Sequence, residues 1–511
     1  MLKRTIGVGM FFELAVHSKY GNAGGGGERV LWTAVAYMQR EYPDIISVIY
    51  SGDKGVTKKD IIEKVASRFS ISLNPQTLHF IFLKSRYMVE DSSWPRFTLI
   101  GQSLGSIYLV LEAMGEFIPD LFVDTMGYAF TFYPVRLLCQ VPVGAYVHYP
   151  TISSAMVNRI GTTGPEELRN KERAAHNQES MIKTLKRKAK KMRVKLPYYT
   201  ILMHLYARSL LNASFLMVNS SWTKAHVDEV ISLVKNSDTH EDKGKLDTSN
   251  SQWFDSVWWI ISRIIFLAIS NQVPSPQLMP SSTTLSPSNK METKIVYPPC
   301  DTNALISFPL EEREKTIVSL AQFRPEKDHA AQIEAFSELL KTHPDFRGKN
   351  NANDGVKLIL MGSSRNEEDA KRVDALKLLA SKHGIAENVE FKVNVSYGEL
   401  LETLGKASIG LSTMVDEHFG INIVEFMAAG LIPIVHASGG PLYDIVAPHS
   451  GGITGFHAKE PASFASAMYD ILSLTTSEDL AIRSRARRRA IEVFSEEGFV
   501  KGWETAWDWD K

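Results

Sequence analysis

Short apolar runs recur along this chain with helix-patterned stretches between them, and that alternation leaves few folds open. In the first 230 residues Ile6–Phe12, Ile45–Tyr50, Phe97–Ile100, Leu121–Asp124 and Val143–Val147 each read as a strand buried on both faces. The rhythm breaks over Lys235–Asn250, which is polar and charged. It breaks again over Asn271–Thr293, which is rich in Ser, Pro and Thr. Such stretches hold too little apolar surface to fold by themselves. It then resumes with Lys294–Tyr297, Thr316–Leu320, Lys357–Met361, Val389–Phe391, Ile409–Ser412 and Ile432–Val435, with helical patterns over Ala330–Leu340 and Glu367–His383. At 511 residues the chain exceeds what one core supports. The expected fold class is therefore α/β, with two such domains in tandem. Residues 1–230 form the first domain, 231–293 an insertion and linker, and 294–490 the second domain. Residues 491–511, with three tryptophans, read as a helix packing back on the first domain.

Composition removes several classes of function. Lys and Arg together number 57, as do Asp and Glu, so nothing marks a general nucleic-acid binder. Two cysteines, Cys139 and Cys300, are too few for a disulfide framework or a cysteine-based zinc site, and fit a reducing, cytosol-facing environment. No signal peptide precedes the first strand. Trp253–Ile269 is about one membrane span long but carries Asp255 and Arg263, which favours an interfacial helix over a crossing one.

Two constellations carry chemistry. Asn22-Ala-Gly-Gly-Gly-Gly-Glu-Arg29 follows the first strand and opens an apolar helix. Without Cβ atoms at Gly24, Gly25, Gly26 and Gly27, backbone N–H groups and a helix N-terminus can approach an anion or a sugar. A plain flexible turn is the alternative. No Lys-Ser/Thr follows the glycines and the G-x-G-x-x-G spacing is absent, which argues against kinases, ATPases and dehydrogenases. The second constellation is Asp416-Glu-His-Phe-Gly-Ile-Asn-Ile-Val-Glu425. Phe419-Gly420 reads as a turn that starts a helix over Ile421–Ala429. Glu417 then lies in the loop and Glu425 one turn inside, both near an N-terminus that favours phosphate. Two solvated acids on a surface helix is the competing reading, and the apolar content of that helix weakens it.

Glu417, Phe419-Gly420 and Glu425 resemble the Glu-x7-Glu signature of retaining glycosyltransferases of the GT-B fold, which implies two Rossmann-like domains facing each other across a cleft. The resemblance extends to Gln322–Lys327, Ala429-Gly430, Pro433 and Ser438–Pro441. A closer likeness lies in Asn22–Trp32, Val147–Ser153, Val218–Thr223, Tyr297–Thr302 and Gln322–His329. Together these look like the eukaryotic GDP-mannose-dependent α-1,2-mannosyltransferases that extend dolichol-diphosphate-linked Man(3)GlcNAc(2) with two mannoses.

The resemblance implies roles. Glu417 would orient the donor mannose, Glu425 would bind the ribose hydroxyls, and Lys327, partnered by Arg324, would neutralise the leaving diphosphate. Phe419, Gly420 and Gly362 would lie against the nucleotide sugar, and Gly439 and Gly440 would donate N–H groups near it. His148 would face the donor across the cleft, although a packed, hydrogen-bonded histidine is the commoner fate of such a residue. Asn22 and the glycine loop would serve the acceptor side. No metal or cofactor is implied beyond GDP-mannose as donor, and Asp120 and Asp124 read simply as strand-end residues. The implied partners are the dolichol-diphosphate oligosaccharide, a membrane surface and other mannosyltransferases of the pathway, at the cytosolic face of the endoplasmic reticulum. Relatives usually carry a His-Pro-aromatic segment where this chain has Glu13–Gly21, with His17 as the nearest substitute, and an N-terminal membrane helix that this sequence does not show. The cations of Lys183–Lys195 read by default as a solvated helix face; peripheral attachment would use them, since anionic head groups attract each by about 1 kcal/mol. The rival readings are a GT-B enzyme with another donor or acceptor, and a degenerate scaffold subunit.

Overall fold

The computed structural model describes residues 5–9, 26–152, 198–238, 292–348 and 355–506. Seven parallel strands form the first sheet: β1 (Thr5–Gly9), β2 (Ile46–Ser51), β3 (Leu78–Phe82), β4 (Leu121–Asp124), β5 (Val143–Val147), β6 (Phe215–Val218) and β7 (Thr293–Ile295). Six form the second: β8 (Glu314–Leu320), β9 (Lys357–Gly362), β10 (Val389–Val393), β11 (Ala407–Ser412), β12 (Ile432–His436) and β13 (Phe456–Ala458). The order is β3-β2-β1-β4-β5-β6-β7 in one and β10-β9-β8-β11-β12-β13 in the other. In both, the strand order reverses beside the first strand, between β1 and β4 and between β8 and β11. Ligands of doubly wound sheets bind at such switch points, outside the carboxyl ends of the strands.

Buried aliphatic and aromatic residues fill each sheet's two faces, as βα alternation requires. Two sequence assignments are corrected here. Phe97–Ile100 is not a strand, because Thr98–Glu116 is helical. Gly101, Gly105, Ser106, Ile107, Leu109, Val110, Ala113 and Met114 are its buried residues, with helical spacing, so the short apolar run was only the first turn of a longer period. The strand at Lys294 does not open the second domain. Thr293–Ile295 pairs with Leu216–Val218 and completes the first sheet, while sequence rhythm does not assign the Leu78–Phe82 and Phe215–Val218 strands.

The chain also crosses back. A helix over Thr476–Phe494 packs in the second domain through Ile482, Ala486, Ala490 and Phe494. The next helix, Glu496–Ala506, buries Phe499, Trp503 and Ala506 against the first-domain core. Tyr37 Oη donates to Glu504 at 2.7 Å, and the Trp503 ring stacks on Tyr146 at 6.4 Å. Trp503→Ala is expected to cost about 3–5 kcal/mol by truncating a buried aromatic, read as a lower midpoint in denaturant unfolding. Trp507 and Trp509 lie outside the described residues.

Candidate active site

The loops after β8 and β11 meet at the second switch point. A short 3-10 turn over Pro325–Lys327 follows β8, and Thr413, just beyond β11, donates to the carbonyls of Lys327 and Asp328 at 3.1 and 2.9 Å. Lys327 Nζ thereby reaches Glu417 Oε2 at 2.7 Å and the Met414 thioether at 3.1 Å. Arg324 does not join them. Its guanidinium lies 3.6 Å from Glu326, and its Nε lacks a hydrogen-bond partner among the described residues.

The Ile421–Ala429 helix is where the spacing predicts it, with left-handed Gly420 (φ 111°) at its start and Gly430 (φ 89°) at its end. Glu425 projects from this helix, and burial pushes its carboxyl up to about 7 in spite of the nearby Arg29 guanidinium. Phe419, expected at the nucleotide sugar, is instead core. It is 4% exposed, between Tyr297 (ring centroids 5.9 Å) and Phe494 (5.5 Å). Gly440 also departs from its expected role, since its N–H is already given to the Glu417 carbonyl at 2.8 Å. Gly439 (φ 64°) and Gly440 lie directly on the 416–419 backbone and shape the loop that bears Glu417. Gly362, at the end of β9, sits flush against the Ala321 carbonyl, again a packing contact.

The first domain supplies the facing wall. His148 follows β5, and the Thr125 backbone holds its ring by one hydrogen bond. Among the described residues Nε2 is buried without a partner, so Nδ1 makes that bond and Nε2 presents its lone pair. Burial pulls the His148 pKa down to about 4, keeping the ring neutral near neutral pH. A Cβ on Gly27 would lie 3.2 Å from His148 Nε2, and one on Gly26 only 2.5 Å from Ile421 Cδ1. The glycines at the start of the Gly26–Glu41 helix thus let that helix approach His148 within its own domain and the Ile421–Ala429 helix of the second domain. Asn22, Gly24, Gly25 and the Glu13–Gly21 segment lie outside the described residues, as do Lys183–Lys195 and Trp253–Ile269. Asp124 is fully buried at the end of β4, accepting from the Met126 and Gly127 N–H groups at 3.1 and 2.9 Å. Among the described residues no group of three or more His, Cys, Asp or Glu is arranged to hold a metal ion.

Several site contacts escaped the sequence. Arg29, on the glycine-loop helix, donates to Asp301 at 3.1 Å and to the Phe69 carbonyl at 3.2 Å, tying the first domain to the interdomain connection. Tyr149, Trp222 and His418 form an aromatic stack across the cleft, with Tyr149 and His418 centroids 3.9 Å apart. Tyr149, Arg29 and Trp222 all stood inside quoted motifs; their partners did not follow from spacing.

With this geometry in place, comparison with known proteins is informative. Residues 12–231 match the family described as ALG11 mannosyltransferase N-terminus, and residues 303–490 match Glycosyl transferases group 1. A Mus musculus protein named "GDP-Man:Man(3)GlcNAc(2)-PP-Dol alpha-1,2-mannosyltransferase" is 39% identical over 490 residues, covering 95% of this chain and 84% of its own length. A Xenopus laevis protein of the same name is 40% identical over 491 residues, covering 95% and 85%. Among solved structures, Anabaena Alr3699/HepE in complex with UDP and glucose has a TM-score of 0.53 at 13% identity, covering 99% of both chains. A sucrose-phosphate synthase from Thermosynechococcus elongatus has a TM-score of 0.54 at 14% identity, covering 98% of both. These two likenesses concern the fold, which is GT-B.

Proposed function

This chain belongs to the family of GDP-Man:Man(3)GlcNAc(2)-PP-Dol alpha-1,2-mannosyltransferases, and on that premise we propose how its cleft performs the transfer. The chain is a glycosyltransferase that moves mannose from GDP-mannose to dolichol-diphosphate-linked Man(3)GlcNAc(2) in α-1,2 linkage. The observation that carries our reading of the site is the 2.7 Å Lys327–Glu417 pair at the second domain's switch point.

As the glycosidic bond to GDP breaks, negative charge gathers on the diphosphate, and a preplaced ammonium lowers that barrier. Lys327 supplies it without a metal. Glu417, held at its carbonyl by Gly440 and at its carboxylate by Lys327, orients the mannose hydroxyls and balances the cationic character of the sugar. His148 accepts a hydrogen bond from the donor sugar through its unpartnered Nε2. Glu425 accepts from the ribose hydroxyls. The acceptor enters along the first domain, and two successive additions extend it. Among the described residues no helix is long and apolar enough to cross a membrane. The Lys183–Lys195 cations support attachment at an anionic surface, which we assign to the cytosolic face of the endoplasmic reticulum.

The Glu425 role has a pH signature. Its carboxyl sits at about 7 and only the ionised form accepts two hydroxyl donors. The KM for GDP-mannose is therefore expected to fall about tenfold from about pH 6 to about pH 8, with Glu425→Gln flattening the profile. The sign reverses for stability. A carboxyl raised in the folded state stabilises fully below its unfolded value, and that contribution is lost as pH rises toward 7.

The function is tested by offering a trimannosyl diphosphate-lipid acceptor with GDP-mannose, UDP-glucose or GDP-glucose in parallel. Formation of α-1,2-linked mannose from GDP-mannose alone is expected. Equal transfer from another donor, or none by folded protein supplied with membranes, overturns the assignment.

A further inference from the structure

We propose that Tyr149, Trp222 and His418, with Asp444 and Ser221 beside them, are positioning residues that set the closed register of the two domains for transfer. The inference rests on the reading of the cleft given above.

The rings belong to opposite sides of that cleft. His418 lies in the second domain's glutamate loop, parallel to Tyr149 (interplanar 9°, centroids 3.9 Å) and to Trp222 (16°, 5.2 Å). Tyr149 comes from the segment after β5, and Trp222 from the first turn of the Ser221–Asp238 helix. One residue before Trp222, the Ser221 N–H donates to both Asp444 carboxylate oxygens at 3.2 and 3.0 Å. A second-domain carboxylate thus caps a first-domain helix, where backbone donors and the helix dipole both favour it. Tyr297 Oη also donates to Asp444 at 2.9 Å, and Arg489 donates to its backbone carbonyl.

What gives these contacts a catalytic consequence is their place in the chain. Tyr149 is the immediate neighbour of His148, and His418 that of Glu417. Stacking the second member of each pair fixes the first members relative to each other. The Glu417 loop has little freedom to compensate. Its Asp416 N–H is held by Ser438 Oγ at 2.7 Å and its Glu417 carbonyl by Gly440. Burial pulls His418 down to about 4, so it stacks as a neutral ring beside Lys327. Glu417, Glu425 and Lys327 place most of the donor contacts in the second domain and only His148 in the first, so loosening the stack should cost donor binding little and impair the step that needs both walls.

The test compares Trp222→Ala and His418→Ala with Trp222→Phe and His418→Phe in the full chain. Both alanine variants are expected to lose about a hundredfold in kcat for mannose transfer, as displacements near 1 Å do. Their GDP-mannose Kd, read by calorimetry, should stay within about threefold, and the phenylalanine variants, which restore a planar ring, should recover to within about fivefold of wild type. Wild-type kcat in both alanine variants overturns the proposal, as do phenylalanine variants no better than alanine. Small-angle scattering with bound GDP provides a readout that needs no transfer. A larger radius of gyration in His418→Ala than in wild type supports the clasp, and equal radii overturn it. Failure of wild-type transfer would strike the proposed function instead, with the scattering comparison still deciding this inference.

Discussion

Lys327→Met is expected to lower kcat for mannose transfer about a thousandfold, near 4 kcal/mol of transition-state stabilisation, while GDP-mannose still binds. The ammonium has three donors. One is taken by Glu417 at 2.7 Å, and another points to the Met414 sulfur, a weak acceptor that a diphosphate oxygen easily displaces. The Arg324 guanidinium lies beside Glu326 rather than beside Glu417. The loss should be larger in kcat than in KM, since charge on the diphosphate grows as the bond breaks. Lys327→Arg separates charge from geometry. A guanidinium keeps the charge but is a planar fork, so partial recovery is expected, with full activity arguing that only charge matters. Steady-state kinetics of both variants, with folding checked by thermal melting, decides it. A Lys327→Met enzyme within about tenfold of wild type would remove Lys327 from the diphosphate.

How much of this was legible in the sequence depended on how locally each feature is determined. The Ile421–Ala429 helix was readable to the residue because a glycine in left-handed conformation punctuates both ends. The second sheet was readable from β8 to β12 because those strands are short apolar runs between helical patterns, whereas the three-residue edge strand Phe456–Ala458 is too short to show one. Phe97–Ile100 misled because three apolar residues and a threonine fit either period, and only the following Gly101, Gly105 and Ile107 reveal the helix. Thr293–Ile295 misled because a low-complexity stretch precedes it, although edge pairing with β6 is a tertiary choice. Glu417 and Lys327 were named from motifs and do meet. The partners of Arg29, Asp444 and His418 come from distant segments brought together by domain packing, which no local spacing encodes.

Gly439→Ala gives the sharpest separation of a structural from a ligand-binding glycine. Were Gly439 present to donate its N–H to phosphate, alanine would serve as well, because it keeps that N–H. The structure calls for something else. At φ 64° an L-residue clashes with its own carbonyl, costing about 1–2 kcal/mol. The added Cβ would also fall 2.2 Å from the Glu417 carbonyl oxygen and 2.9 Å from the Glu417 nitrogen. Both are backbone atoms, so no side chain can swing aside, and overpacking adds about 1–3 kcal/mol. The loop must then move, and Glu417 moves with it away from Lys327 and from the facing wall. The expected result is a loss of about 3 kcal/mol in stability together with about a hundredfold in kcat, from a substitution that removes no functional group. Near-wild-type transfer by Gly439→Ala would mean that the Glu417 loop tolerates displacement, and that the close packing of Ser438–Pro441 beneath it is not what aims the carboxylate.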